Sequence, residues 1–480
     1  LFYYLSRRHR SVYFRFNKDV PAILGCVRFI IFGGIYMGYT KDDIRMLIGE
    51  SDVKFIRLQF TDIFGTLKNV AVTASQLERL LEGRCMFDGS CIEGFVGIEE
   101  SDMYLKPDLD TFVIFPWRPQ HGKVARFICD IYGADGKPFE SSPRHILKRA
   151  LDKAKGMGYE FDVGPECEFF LFKTDDEGEP VIIPHDKGSY FDLGPVDKGE
   201  NARREICLTL EDMGYEIESS HHEQAFGQHE VDFKYTDALK AADNIATLKL
   251  VVKTVAQRNG LFASFMPKPM NGQNGSGMHI NISLSKDGEN VFFDENDSRG
   301  VEMSDIAYKF LAGVMSHIRG LSLITNPIVN SYKRINTGFD APEYIAWSAA
   351  NRSSLIRIPS GRGERKRIEL RNPDTATNPY FAFAAILWAG LDGIEKDMKA
   401  PEQVNRNIYE MTEEERAKNG IESLPKTLGE AIYEFERDGL MKKALGEDAF
   451  NKYLSAKKKE WDEYCKSVNS WEMARYINIY

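Results

Sequence analysis

The sequence predicts an α+β protein of two or more domains, and three observations carry that reading. A chain of 480 residues that is 43% hydrophobic can bury a large core, and a core of that size normally divides. Strand-like alternation dominates the chain before Ser142-Pro143, and helices alternate with strands after it. Ser142-Pro143 reads as a helix start, a capping serine followed by proline at the first helical position, and marks the domain boundary.

The second part is organised around the strand Gly164-Pro165-Glu166-Cys167-Glu168-Phe169-Phe170-Leu171-Phe172. Side chains alternate with period two, so Glu166 and Glu168 share a face. Two carboxylates side by side on an apolar strand repel, and neither stays ionised there without a cation. Later strands carry matching polar faces. Glu230 alternates with Val231 and Phe233, and Glu223 lies one loop upstream. From His279 to Leu284 the odd positions are polar (His279, Asn281, Ser283) and the even ones apolar. Arg367, Glu369 and Arg371 oppose Ile368 and Leu370. A solvated edge strand would explain the first stretch alone; the convergence of several such strands favours a site. Carboxylates with at most one imidazole suit Mg²⁺ or Mn²⁺, whereas zinc wants more His or Cys. Arginine at this density requires an anion as well.

The remaining patterns narrow the class. The formal charge of −10 argues against nucleic acid as the main partner. Seven cysteines are scattered with no CxxC pair, which reads as reduced thiols in a cytoplasmic protein. No run of 18 or more uncharged apolar residues exists to span a membrane. Residues 1–36 differ from the rest: Arg7, Arg8, Arg10, Arg15, Lys18 and Arg28 face one acid, Asp19. Arg28 interrupts the apolar run Val20–Tyr36, and no signal-cleavage site follows. We expect residues 1–36 to be a translated leader outside the fold, with Met37 as the true start. Gly33-Gly34 could encode a purine-rich ribosome-binding site just upstream of it. The mass of the natively expressed chain decides this, and an N-terminus upstream of Met37 would refute it.

Thr40 can cap a helix with Asp43 at the third position and Ile44, Leu47 and Ile48 as its stripe. Ile56, Leu58 and Phe60 alternate as a strand that turns through Thr61–Thr66, with Asp62 in the turn, into a second strand at Val70 and Val72. Met86–Thr111 reads as a long acidic loop, and Phe112–Phe115 and Val124–Ile131 as strands. Helices end near Gly214 and run from Thr236 to Gly260. Phe450, Tyr453, Leu454, Lys457 and Trp461 follow helical spacing, with Lys457 heading a lysine run that reads as a solvated face. The apolar tail Trp471–Tyr480 needs somewhere to dock, such as a neighbouring subunit.

Five stretches resemble the signatures of type I glutamine synthetases of the Gram-positive-like subgroup, in family order. They are Gly164-Pro165-Glu166-x-Glu168-Phe169-Phe170, Asn274-Gly275-Ser276-Gly277-Met278-His279, Asn326-Pro327-x-x-Asn330-Ser331-Tyr332-Lys333-Arg334, Asn351-Arg352-Ser353 and Arg367-Ile368-Glu369-Leu370-Arg371. The resemblance implies a small N-terminal β-grasp domain over about 37–140. It also implies a large catalytic domain over 141–480, with a curved antiparallel sheet flanked by helices. The implied reaction joins ammonia to the γ-carboxylate of L-glutamate through γ-glutamyl phosphate, with ATP as co-substrate. Two or more Mg²⁺ or Mn²⁺ ions per site are implied, one held by Glu168, Glu223 and Glu230, another by Glu166, His279 and Glu369. Arg352 and Arg357 would grip the phosphoryl group in transit, Arg367 the nucleotide phosphates, with Asn281 and Ser283 also on the nucleotide. Arg334 and Arg371 would bind the carboxylates of glutamate, with Asn274 and Gly275 lining its pocket. Asp62 would bind and deprotonate ammonium, reaching in from the adjacent chain of two stacked hexameric rings, and Tyr190 would line that pocket. A nitrogen-regulatory protein is a further partner such a family member can have.

Three positions stand out against the family pattern. Gly97 replaces an arginine linked to glutamine feedback inhibition, and Tyr409, where another subgroup is adenylylated, reads as structural here. Gly338-Phe339-Asp340-Ala341-Pro342-Glu343 carries aspartate where the family has the glutamate that closes over the site, shields the acyl phosphate and takes a proton from the attacking amine. A shift of about 1 Å at a reacting centre can cost on the order of 100-fold. Pro342 restrains any rearrangement, so Asp340 reads as the base and Glu343 as a solvent-exposed charge. The rival readings are a γ-glutamyl ligase for a larger amine and a non-catalytic relative. Asp62 counts against the first, since a compact cation needs a carboxylate, and the intact ligands count against the second.

Overall fold

The computed structural model describes residues 31–32, 35–36, 38–97, 101–118, 121–336 and 341–480. Asp340 and most of the leader lie outside the described residues. Ile31–Phe32 and Ile35–Tyr36 pair with each other and with neither larger sheet.

The first domain is a six-stranded sheet. Val53–Thr61 pairs antiparallel with Leu67–Thr73 on one side and parallel with Lys123–Gly133 on the other. The helix Lys41–Glu50 packs Ile44 and Ile48 into its core, and Thr40 and Asp43 form the expected capping box. The presumed loop Met86–Thr111 instead contains two strands, Cys85–Asp88 and Asp102–Pro107, which pair antiparallel. Met103 and Leu105 are buried in alternation with half-buried Tyr104 and exposed Lys106, a period that the flanking acids disguise in the sequence.

The second domain is built on an eleven-stranded sheet whose spine is the 15-residue strand Glu160–Thr174. Along one edge it pairs with Gln228–Phe233 and Thr236–Asp237, along the other with Ile280–Lys286 and Leu261–Ser264. Ile368–Leu370 pairs with Ile280–Ile282 and completes the part that matters for the site. The odd residues of the spine (Cys167, Phe169, Leu171) pack with Val231, Ile280, Ile282 and Ile368 against the helices. Burial of these side chains, each worth roughly 1.5–3 kcal/mol, fixes which face every strand turns away from the core. Helix Pro379–Glu395 is apolar on nearly every side and buried along most of its length, capped by Asn378, whose side chain accepts from Tyr380 and Phe381. It crosses Asp305–Thr325 at Gly313, Gly390 and Gly393. A Cβ at Gly390 would lie 2.1 Å from the Phe310 ring, so only glycine allows this approach.

Two sequence expectations fail here. Ser142 precedes the helix Pro143–Gly156 but makes no side-chain cap bond, and proline alone supplies the start signal. Lys457 is not on a solvated face. It is 3% exposed, with its ammonium 2.8 Å from Glu460 and 5.2 Å from the Phe64 ring centroid. Its stem serves as core on helix Glu447–Lys466 while its head pairs with Glu460.

Arg144 clamps the two domains. Its guanidinium meets Asp108 at 2.7 Å and Asp130 at 2.9 Å on the first domain, and Asp243 at 2.9 Å on the second. Tyr380 also donates to Asp243 at 2.7 Å. A buried arginine with this many acceptors retains its charge, and breaking such a set typically costs about 3–5 kcal/mol. A second seam lies at the Asp62 turn, whose backbone carbonyls at Asp62 and Ile63 accept from Asn378. Among the described helices none is long and apolar enough to cross a membrane.

Candidate active site

The cross-strand register assembles charge on one sheet face. Glu168 lies directly opposite Glu230, Glu166 opposite Asp232, and Glu369 opposite both Asn281 and Arg357. Like charges placed opposite destabilise a sheet. Two groups with metal-ligand spacing result: Glu166 with His279 and Glu369, and Glu223 and Glu230 with His221.

The first group is cation-rich. His279 Nδ1 lies 3.3 Å from Glu166 and 3.7 Å from Glu369. Glu369 also receives Arg357 at 2.5 Å and Arg371 at 3.3 Å. Burial pushes the Glu166 carboxyl up, but its bonds to His279 and Asn281 and the nearby Arg367 outweigh this and hold it at about 2. Glu166 thus stays ionised without any metal, because hydrogen bonds from His279 and Asn281 and the nearby Arg367 guanidinium favour its charged form.

The second group is anion-rich. Burial and the neighbouring Glu223 charge push the Glu168 carboxyl up to about 8, despite hydrogen bonds from Gln228 (2.8 Å) and the Gly277 N–H (2.8 Å). Burial also raises Glu230 well above the usual carboxylate range, with Asp232, Glu168, Glu166 and Glu223 adding repulsion. Asp232 is raised to about 6. A divalent cation fits this donor set, carboxylates with an imidazole in each group, and would relieve the repulsion that otherwise keeps protons bound.

Sequence reasoning missed three members. His221 lies 2.7 Å from Glu223 and 3.9 Å from Glu230, so the face holds a second imidazole. The signal was present: His221 and Glu223 are two apart, and the strand Ile217–His222 pairs His221 with Glu230. Asp232 shares a face with Glu230 by the same period-two rule, and Gln228 sits two residues before it.

Other expected residues divide by place. Asn274 donates to Gln224, and the Gly275 carbonyl accepts from Gln228, so the Gly272–Gly277 loop is tied to the carboxylate face. A Cβ on Gly275 would lie 2.2 Å from the Pro267 carbonyl and 3.0 Å from Arg334. Arg334 is fully buried behind the loop and donates to the carbonyls of Asn372 and Pro373. Arg371 also donates to the Arg352 carbonyl. Asn281 donates to Glu166 at 2.8 Å, and Ser283 accepts from Tyr235 at 2.6 Å. Tyr190 is hydrogen-bonded to Arg352 and stacks on Phe191; burial and the charges of Glu223 and Glu230 raise its phenol. Asp62 is not brought to this face among the described residues. Its carboxylate accepts from Phe64 and Thr66 and pairs with Lys68 at 3.4 Å. Glu343 is not solvent-exposed. Its side chain is 18% exposed and lies 3.6 Å from Lys426. The Tyr409 hydroxyl bonds to the Glu343 N–H and the Ala341 carbonyl.

A carboxylate-rich sheet face bordered by arginines is suited to divalent cations and to phosphate groups. The glutamine synthetase catalytic-domain family model matches residues 140–476, and the glutamine synthetase β-grasp model matches residues 52–134. The chain is 59% identical over 442 residues to a glutamine synthetase of Clostridium saccharobutylicum, covering 92% of this chain and 99% of that one. It is 57% identical over 443 residues to that of Staphylococcus aureus (strain MW2), with the same coverage. Among solved structures, a GmaS/ADP complex matches with TM-score 0.82 at 32% identity, covering 91% of this chain and 99% of that one. The Plasmodium falciparum glutamine synthetase matches with TM-score 0.80 at 27% identity, covering 92% and 99%. The chain belongs to the glutamine synthetase family.

The raised Glu168 makes a stability prediction. Its value in the folded state, about 8, exceeds the ordinary 4.5, so the metal-free fold holds a proton that the unfolded chain releases. Metal-free stability therefore falls as pH rises through that window, by roughly 3 kcal/mol at pH 7. Glu168→Gln, which keeps an acceptor for Gln228 and Gly277, should melt higher than wild type in EDTA at pH 8 and lose most activity. Glu166→Ala leaves His279 and Arg367 uncompensated and should show no such gain. A lower melting temperature for Glu168→Gln contradicts this account.

Proposed function

We propose that this chain catalyses ATP-dependent ligation of ammonia to the γ-carboxylate of L-glutamate, in the cytoplasm, as part of two stacked hexameric rings. The observation that carries this reading is the sheet face itself: two carboxylate–imidazole groups, the first with Arg357, Arg367 and Arg371 beside it. The family membership supports it, as does a related structure that is an ADP complex.

A carboxylate is a poor electrophile because its leaving group would be oxide. Phosphorylation of the γ-carboxylate by ATP provides a leaving group and lets an amine attack. Glu168, Glu223 and Glu230 with His221, and Glu166, His279 and Glu369, would hold divalent cations of the Mg²⁺ or Mn²⁺ type. Such cations neutralise phosphate oxygens and polarise the γ-phosphoryl group. The residues of the chain do the rest. We assign Arg352 and Arg357 to spreading the charge of the group in transit, and Arg367 to the nucleotide phosphates. Glu369 holds Arg357 and Arg371 in place before substrate arrives. Arg334 and Arg371, with Asn274 and Gly275, orient glutamate. Asn281 and Ser283 serve the nucleotide side through Glu166 and Tyr235. Asp62 from a neighbouring subunit binds and deprotonates ammonium, Tyr190 lines that pocket, and Asp340 takes a proton from the attacking amine. The exposed tail Trp471, Ile477, Ile479 and Tyr480 offers apolar surface to another copy.

Phosphate release from ATP with glutamate tests the reaction, comparing ammonium, putrescine and no amine. Turnover should require ammonium. Putrescine preference would indicate a ligase for larger amines, and silence throughout a non-catalytic relative. In the same assay Asp340→Asn should abolish most synthesis, Asp340→Glu retain or raise it, and Glu343→Gln stay within a few-fold of wild type. A dead Glu343→Gln beside an active Asp340→Asn reverses the two roles.

A further inference from the structure

Behind the anion-rich group lies a second set of metal-capable side chains, Asp186, Asp197, His222 and His229, all buried. Its hydrogen bonds oppose a cation. Asp186 Oδ1 accepts from the N–H of Gly188 (3.3 Å) and Gly227 (3.0 Å), and Oδ2 from Lys198 (3.0 Å) and Gly199 (3.3 Å). Arg203 Nη1 donates to Asp197 at 2.8 Å and faces His229 Nδ1 at 3.0 Å. An imidazole that accepts from a guanidinium at Nδ1 carries its proton on Nε2 and has no lone pair to offer there. The set is a hydrogen-bonded hub.

His222 carries that hub into the site. Its Nε2 lies 3.0 Å from Asp186 Oδ1 and its Nδ1 2.6 Å from the backbone carbonyl of Glu223. Both nitrogens face acceptors, so both donate. The His222 carbonyl accepts from Phe191 at 3.0 Å. Phe191 adopts a left-handed φ of 62° and meets His221 edge-on at 4.9 Å. A non-glycine residue in that region persists only where its surroundings over-determine it. One carboxylate therefore ties together the Gly227 turn, the 186–199 loop that carries Tyr190 and Phe191, and the Glu223 backbone.

We infer that Asp186 and His222 are positioning residues: the chain from Asp186 through the His222 ring to the Glu223 carbonyl fixes where the Glu223 carboxylate stands. The divalent-cation affinity of the His221–Glu223–Glu230 group then depends on two residues that do not belong to it. This rests on the cation-binding reading of that group. Partners of this kind around a ligand typically change metal affinity about 10- to 100-fold.

Mn²⁺ titration of the full-length, nucleotide-free enzyme, followed by electron paramagnetic resonance, reports binding without turnover. His222→Gln keeps a donor near the Nε2 position and loses the one toward Glu223; His222→Asn does the reverse. Glu223→Gln identifies which class of Mn²⁺ sites involves this group. His222→Gln should weaken that class about 10- to 100-fold, leave the other within about threefold, and add little when combined with Glu223→Gln. His222→Asn should weaken the same class less, and it serves as the test should His222→Gln not fold by circular dichroism. Wild-type Mn²⁺ binding in a folded variant, or equal loss in both classes, overturns the positioning role. Absence of Mn²⁺ binding by wild type overturns the cation reading beneath it, a result visible before any variant is made.

Discussion

Repulsion among carboxylates on one face of one sheet is the constraint on which the rest of the structure depends. Glu168 and Glu230 are directly opposite each other and almost fully buried, with Glu223 and Asp232 as close neighbours. Nothing local would choose this arrangement. The apolar face of the same strands imposes it, because Cys167, Phe169, Val231, Ile280 and Ile368 must face the helices. Moving any strand by one residue would expose that core, so the acids stay together whatever their mutual energy. The core thus pre-organises a site that is unfavourable until something positive enters it.

The two halves of the face meet this constraint differently. Around Glu166 and Glu369 the chain supplies its own positive charge through Arg357, Arg367 and Arg371, with His279 as a further hydrogen-bond partner. Around Glu168, Glu223 and Glu230 it supplies one imidazole, His221, and several hydrogen-bond donors. The second half is where protons collect, and its geometry relies most on support from outside. The Asp186 hub provides that support on one side and the Gly272–Gly277 loop, clamped by Gln228 and Glu168, on the other.

Much of this was legible because period-two alternation is a strong signal when one face is apolar. The spine strand and its neighbours, with Glu166, Glu168, Glu230, His279 and Glu369, could be placed on one face from residue order alone. What escaped were contacts that depend on register between strands or on how a long side chain bends. His221 joins the site only because its strand pairs it with Glu230. Glu166 stays charged because Arg367 and His279 arrive from other strands. Lys457 and Glu343 looked like solvated charges, yet both are folded inward against partners, Glu460 and Lys426. Asp102–Pro107 was hidden because its acids blur the alternation that Met103 and Leu105 follow. Residue order alone encodes neither the register between strands nor the bend of a side chain.

The central claim is that the fold holds protons where the working enzyme holds metal. Calorimetric titration of the metal-free enzyme with Mg²⁺ at pH 7, repeated in buffers of different ionisation enthalpy, counts the protons released per chain. With Glu168 at about 8 and Glu230 raised beside it, binding should expel about one proton or more from each chain. Mg²⁺ binding whose heat is the same in every buffer, with no proton released, would contradict the account.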